Sequence, residues 1–304
     1  MDGFRIPIGD WVADAVDWVQ VNLEWLLDFI TMVIKFLVNG LSDVLVDTPW
    51  WAVTVVAALL GWMFRSWQLG VGTLLSFTLM AAMGVFTGAM QTLALVLVAA
   101  VVAVVISVPL GIWSARSARV RAVVKPILDL MQTMPGMVYL VPAIVFFSIG
   151  VVPGLVATVI FALPPGVRLT ELGIRGVDGE TVEAGEAFGA TRGQILRGIQ
   201  LPLALPTIMA GVNQVIMLSL SMAVIAGMAG ADGLGKSVVE AVSTVNTAKG
   251  VEAGLGVVII AVYLDRLSAA LGNPSAYRSS LLGILSRRRN DRRRAAAATV
   301  AVPA

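Results

Sequence analysis

The chain has 304 residues, 58% hydrophobic and 13% charged, with a formal net charge of +2. About a quarter of a soluble domain is usually charged, so this balance argues against a water-soluble single core. With no Cys and no His, disulfides, thiolate nucleophiles, Cys or His zinc sites and Ser–His–Asp triads are excluded.

Met1–Asp10 lacks a basic start and is followed by an acidic stretch, so no signal peptide is expected. Residues 10–46 read as one amphipathic helix. Asp10, Asp14, Asp17, Glu24, Asp28 and Lys35 follow three- and four-residue steps, while Trp11, Trp18 and Trp25 recur every seven residues beside them. Indoles at the border of polar and apolar faces favour the headgroup region, which lays this helix on the membrane. Packing against a helical bundle is the competing reading.

Beyond Pro49 seven hydrophobic spans are predicted, at about 50–65, 68–88, 91–114, 130–149, 152–168, 207–230 and 254–271. Between Arg65 and Arg116 no charge occurs for 50 residues. That is roughly 75 Å of helix at 1.5 Å per residue, enough to cross a ~30 Å hydrocarbon core twice. The first span is short, tilted or incomplete. Gly150-Val151-Val152-Pro153-Gly154 separates the fourth and fifth spans as a turn. The chain thus reads as an all-α membrane protein, a polytopic bundle of about seven spans with an amphipathic N-terminal helix.

Lys and Arg set the orientation. With the N-terminus outside, the outer segments hold Arg5, Lys35, Lys236 and Lys249. The inner ones hold sixteen cations, among them Arg116, Arg119, Arg121 and Lys125, then Arg168, Arg175, Arg192 and Arg197, and the arginines of Arg287–Arg294. The positive-inside rule therefore predicts an outside N-terminus and a cytoplasmic C-terminus.

The one long polar stretch between spans, at about 169–206, contains Glu183-Ala184-Gly185-Glu186-Ala187-Phe188-Gly189, nine further residues, and Ile199-Gln200-Leu201-Pro202. The segment reads as a short helix, a turn and a second helix. Acids near the first helix start suit its dipole, and small residues at 184, 185 and 187 permit close approach by another surface. Gly189 supplies the positive φ that ends the helix, and Pro202 sets the start of the next.

This pattern resembles the EAA loop of ATP-binding cassette importer permeases: Glu-Ala-Ala, three residues, Gly, nine residues, Ile, one residue, Leu-Pro. Every fixed position matches except the third, where Gly185 replaces Ala. Leu128–Pro135, Val138–Pro142, Val151–Pro165, Val167–Arg175, Gly230–Lys236 and Leu264–Leu267 look like the glycine betaine/L-proline branch of the same permeases. The similarity runs over about 90–272 and is weak before residue 90.

The resemblance implies a type-I importer fold, with 1–48 an extracytoplasmic or interfacial segment, 49–89 accessory spans, 90–272 the transmembrane core and 273–304 a basic cytoplasmic tail. It implies a homodimer of permeases, two cytoplasmic ATPase copies, an extracytoplasmic substrate-binding protein and a multi-pass place in the bacterial inner membrane, with no nucleic acid. The expected solutes are glycine betaine, proline betaine or choline-type compounds. No cofactor or metal is assigned to this chain, and the partner ATPase would use ATP and Mg; the chain itself is not an enzyme. The residues expected to couple hydrolysis to transport are Glu183, Ala184, Gly185, Glu186, Ala187, Gly189, Ile199, Leu201 and Pro202. Aromatic faces hold cations, so Tyr139, Phe146, Phe147 and Phe161, with Asn213 and Gln214, are candidates for the pathway. The alternatives are an ion-coupled secondary transporter, disfavoured by the long charge-free runs, or a permease of the same class for another small solute.

Gly230–Ser237 fits the phosphate-loop pattern G-x-x-x-x-G-K-S letter for letter, but it follows a membrane span instead of a buried parallel strand, so a glycine-rich turn is expected. Asp265-Arg266 reads as a pair at the membrane boundary or as a lock onto Arg168–Arg175.

Overall fold

Backbone groups inside hydrocarbon must find partners within their own segment, which favours helices. The computed structural model describes residues 8–272 and Ser279, and these form helices and turns with no strand among them. α1 (Ile8–Asn22) and α2 (Glu24–Asp47) are followed by a hairpin of α3 (Trp50–Phe64) and α4 (Trp67–Ala82), where the Ser66 hydroxyl accepts from Leu69 N. α5 (Phe86–Arg116) leads through the Ser117 cap to α6 (Ala118–Thr133), a 3-10 turn at Gly136–Tyr139, α7 (Leu140–Phe147) and α8 (Val151–Arg175). The polar loop forms α9 (Gly179–Ala187) and α10 (Arg192–Ile195), and the chain continues as α11 (Leu201–Ala226), α12 (Leu234–Ser243) and α13 (Thr247–Gly272).

The core is built where α5, α8 and α11 meet. Its side chains are small, so the backbones approach closely. A Cβ at Gly111 would lie 2.6 Å from Thr170 Cβ, and one at Gly154 would lie 2.8 Å from Ala226 Cβ. Around this seam pack Leu93, Leu95, Leu155, Val215 and Ile260, all buried. Tyr263 on α13 donates to the Ala57 carbonyl at 3.2 Å and meets Phe77 edge-on, which ties the α3–α4 hairpin to the core.

Among the described residues five helical runs are long and apolar enough to cross a membrane, or six if one bent pair counts as a span: α2, α5, α8, the run Arg192–Ala229 and α13, with α6 and the Gly136–Phe147 segment as the bent pair. This differs from the seven spans expected. In place of the spans expected at 50–65 and 68–88 stand Trp50–Phe64 and Trp67–Ala82, helices of 15 and 16 residues, with Phe86–Gly88 already in α5. At 1.5 Å per residue these are about 23 Å long, short of a ~30 Å hydrocarbon core. The uninterrupted span expected at 130–149 is bent by 109°. Pro135 explains it: the residue before a proline is driven to extended backbone, and Met134 has ψ 131°.

The single helix expected over 10–46 is two helices broken at Leu23. The second packs on the bundle through buried Ile34 and Val38, while Trp11, Trp18 and Trp25 stay exposed. The tail from 273, apart from Ser279, and Met1–Pro7 lie outside the described residues.

Candidate functional site

The loop between α8 and α11 is shaped by four local devices. The Asp178 carboxylate accepts from Glu180 N at 3.2 Å and starts α9. At the other end Gly189 has φ +77°, its N–H donates to the Glu186 carbonyl at 2.9 Å, and Ala190 N–H donates to the Gly185 carbonyl at 3.1 Å. These are the paired bonds of a Schellman motif, with Gly189 in the left-handed position that Cβ-bearing residues avoid. Thr191 then caps α10 in a reciprocal box with Gln194: the Gln194 amide oxygen accepts from Thr191 N at 2.8 Å, and the Thr191 hydroxyl accepts from Gln194 N. Gln194 lies outside the fixed pattern of the loop, yet it holds the second helix in place. A π-type turn over Leu196–Gln200 carries the chain into α11, where Pro202 occupies the first turn and needs no donor.

α9 has two faces. Val182 and Gly185 turn toward the bundle, and a Cβ at 185 would sit 2.7 Å from Ile199 Cδ1. The one departure from the fixed pattern thus lies where two of its members touch. Leu201 packs against the buried Ile174, Leu196, Ala204 and Ile208. Glu180, Glu183, Ala184 and Ala187 are exposed on the other face, and Glu186 borders a cavity with Arg175 and Arg192.

Phe188 was not singled out by the sequence reading. It is 93% exposed, the highest value among the large apolar side chains described, and it stands at the tip between α9 and Gly189. The signal was present: an aromatic residue directly before a helix-ending glycine occupies the cap, where no helix face shelters it. An acidic face with two alanines and an unsheltered phenyl ring is complementary to an apolar socket with a basic rim.

The pathway candidates are dispersed. Tyr139 and Phe161 meet edge-on, with centroids 6.1 Å apart and planes at 64°, inside a cluster with Met222 and Ile225. Phe147 packs on the main core and Phe146 is half-buried elsewhere on α7. Gln214 is exposed, and Asn213 is engaged between helices: its amide donates to Asp265 Oδ1 at 3.3 Å and its oxygen accepts from the Ser268 hydroxyl.

Asp265 therefore faces α11, with Arg266 Nε 3.8 Å away, and makes no lock with Arg168–Arg175. Arg168 pairs instead with Asp129, and Glu171 with Arg121 at 3.0 Å. The Gly230–Ser237 segment follows a helix and a 3-10 turn. Leu234 N donates to the Thr92 hydroxyl at 2.8 Å, and a Cβ at Gly233 would lie 2.5 Å from that oxygen. Gly233 serves contact with α5, Gly235 contact with Ala223 and Val224 of α11, and Gly230 approach to Ile149. Around α12 the Asp232 carboxylate just before the helix, bonded to Lys236, raises the lysine pKa, and the Lys249 ammonium on α13 holds the Glu240 carboxyl below its usual range.

Residues 107–272 match the family described as "Binding-protein-dependent transport system inner membrane component". The chain is 48% identical over 264 residues to the glycine betaine transport system permease protein OpuAB of Bacillus subtilis (strain 168), covering 87% of this chain and 94% of that one. It is 44% identical over 275 residues to the glycine betaine/proline betaine transport system permease protein ProW of Escherichia coli (strain K12), covering 90% and 78%. Against the glycine betaine/carnitine transport permease protein GbuB of Listeria monocytogenes (serotype 1/2a, strain 10403S) the identity is 45% over 269 residues, covering 87% and 95%. An inward-facing structure of the MetNI methionine ABC transporter superposes with a TM-score of 0.57 at 24% identity, over 62% of this chain and 94% of that one. That likeness concerns the fold.

Proposed function

The chain belongs to the family of binding-protein-dependent transport system inner membrane components, and from that premise we propose that it is the permease subunit of an ATP-driven importer for glycine betaine and related quaternary ammonium solutes. The loop carries the coupling. Its acidic, alanine-lined face and the exposed Phe188 ring give a partner ATPase a surface to grip, and Gly189 and Thr191 fix the angle between α9 and α10. When two ATPase subunits close on ATP and Mg, that grip draws the cytoplasmic ends of α8 and α11 together, and their parting reverses it. A second copy of the chain completes the pathway, and an extracytoplasmic binding protein delivers the solute. The chain hydrolyses nothing itself, and its N-terminus lies outside.

The likeness to OpuAB, ProW and GbuB, all glycine betaine transport permease proteins, supports a betaine-type solute. An ion-coupled transporter is not favoured by that family membership. The test is uptake of labelled glycine betaine into proteoliposomes containing the chain, its ATPase and its binding protein. Uptake should require enclosed ATP and survive a protonophore. Uptake that follows an ion gradient without the ATPase would refute the reading.

A further inference from the structure

α6 and the last turns of α8 enclose a charged cleft of about 310 Å³ beside the coupling loop. Four cations line it, Arg121, Lys125, Arg168 and Arg175, against two carboxylates, Asp129 and Glu171. Both carboxylates are already committed. Glu171, whose side chain is 15% exposed, accepts from Arg121 Nε at 3.0 Å through one oxygen and from the Ser114 hydroxyl at 2.8 Å through the other. Asp129 pairs with Arg168. Among the described residues Lys125 and Arg175 make no ion pair, so two positive charges remain over inside the cleft.

The depth of the cleft follows from α6 itself. Only Leu128 of this helix is buried. Val123, Ile127 and Leu130 recur at four- and three-residue steps, all exposed, on the side turned away from Arg121 and Lys125. A helix with an apolar stripe on one side and cations on the other settles at the bilayer boundary, stripe in hydrocarbon and ammonium or guanidinium groups at phosphate level. Leu172, also exposed, lies between Arg168 and Arg175 inside the cleft and gives it one apolar wall.

We propose that the cleft between α6 and α8 is a binding site for the phosphate headgroup of an anionic membrane lipid, with Lys125 and Arg175 as its direct contacts and Leu172 against the start of an acyl chain. Arg121 and Arg168 are the positioning residues: their ion pairs hold α6 against α8 and keep the walls apart. Basic clefts between membrane helices on the side rich in Lys and Arg suit such headgroups. The proposal rests on the chain being an integral membrane subunit, and it is independent of the solute carried and of the fit between loop and ATPase.

The experiment uses the full-length chain, alone and assembled with its ATPase, in nanodiscs of phosphatidylcholine doped with phosphatidylglycerol. Lipid retained after transfer to detergent is counted by native mass spectrometry. The wild type should keep phosphatidylglycerol in preference to phosphatidylcholine. Each cation near an anionic headgroup is worth a factor of about five, so Lys125→Gln with Arg175→Gln should weaken retention about twenty-five-fold. Arg119→Gln, on the same helix but outside the cleft, should leave it unchanged, and Lys125→Arg with Arg175→Lys should restore it. Equal retention of the two lipids by the wild type overturns the proposal without any variant. So does undiminished retention in the double Gln variant with its helical signal intact. Displacement of the lipid by stoichiometric inorganic phosphate would assign the cleft to a free anion, and its displacement on ATPase assembly would assign it to a protein contact; either result refutes a lipid site.

Discussion

Replacing Phe188 with Ala separates docking from folding more cleanly than any other change in the loop. The ring is 93% exposed, so truncating it removes almost no intramolecular packing and should leave the stability of the chain unaltered. The backbone at 188 is a helix cap with φ −80° and ψ 8°, which Ala adopts freely. The whole cost should therefore appear when a partner covers the ring. Fully burying a Phe side chain is worth about 1.5–3 kcal/mol, and at about 1.4 kcal/mol per factor of ten that is a loss of roughly 10- to 150-fold in ATPase association. Phe188→Leu keeps most of the apolar area and should lose about tenfold or less. The assay is association of purified ATPase with the permease in nanodiscs, read by surface immobilisation beside the unfolding midpoint of each variant. Wild-type association for Phe188→Ala at unchanged stability would show that the tip points into water in the assembled importer and that the proposed socket does not exist.

The remaining expectations concern the same loop and the topology. Gly189→Val places a β-branched residue at φ +77° with no atom within 4 Å of the new Cβ, so the cost is backbone strain alone, about 1–2 kcal/mol or more. Uptake and stimulated ATPase activity should fall, and Gly189→Asn should recover most of both; equal activity of Val and Gly at this position would refute a role for the turn. Gly185→Ala should be tolerated or stabilise α9 by up to about 1 kcal/mol in thermal unfolding, because the clash is with the movable end of Ile199. A marked loss there would show that Ile199 cannot yield. Glu183→Lys should weaken ATPase association while Gly198→Ala, which meets nothing within 4 Å, should be mild; the reverse order would remove the acidic face from the interface. Cys at exposed Val242 should react with an impermeant thiol reagent from outside, and Cys at exposed Gly193 only after permeabilisation; the opposite pattern would invert the orientation.

What could be read in the sequence tracks how local its physical cause is. The helix–turn–helix of the loop was legible because a turn is set by single residues acting on their neighbours, as Gly189 does; the caps at Asp178 and Thr191 are equally local but emerged only with the structure. The breaks at Leu23 and Met134 were not, because hydropathy averaged over a window passes smoothly across a bend. Pro135 carried the warning for the second; nothing in the residues around Leu23 gave one for the first. Partners across the bundle were the least legible. Asp265 could equally have reached the Arg168–Arg175 stretch, and only the packing of α13 on α11 puts Asn213 within its range. Phe188 was overlooked because its meaning lies in being uncovered, a property of the fold instead of the residue.

The glycine-rich turn before α12 has a consequence for genetics. A phosphate loop and a helix-packing turn both demand missing side chains, one to admit a ligand and the other to admit a neighbouring helix. Any substitution at Gly233 must push aside the Thr92 hydroxyl that accepts from Leu234 N, and one at Gly235 would lie 2.5 Å from the Ala223 carbonyl. Such variants will lose transport by misfolding, and scored by growth alone they will mimic the loss of a nucleotide site. Lys236 is the informative position, since its ammonium is exposed and, among the described residues, bonded only to Asp232. Random mutagenesis of this stretch should therefore return null alleles at the glycines and silent ones at the lysine, a distribution opposite in its lysine to that of a true phosphate loop.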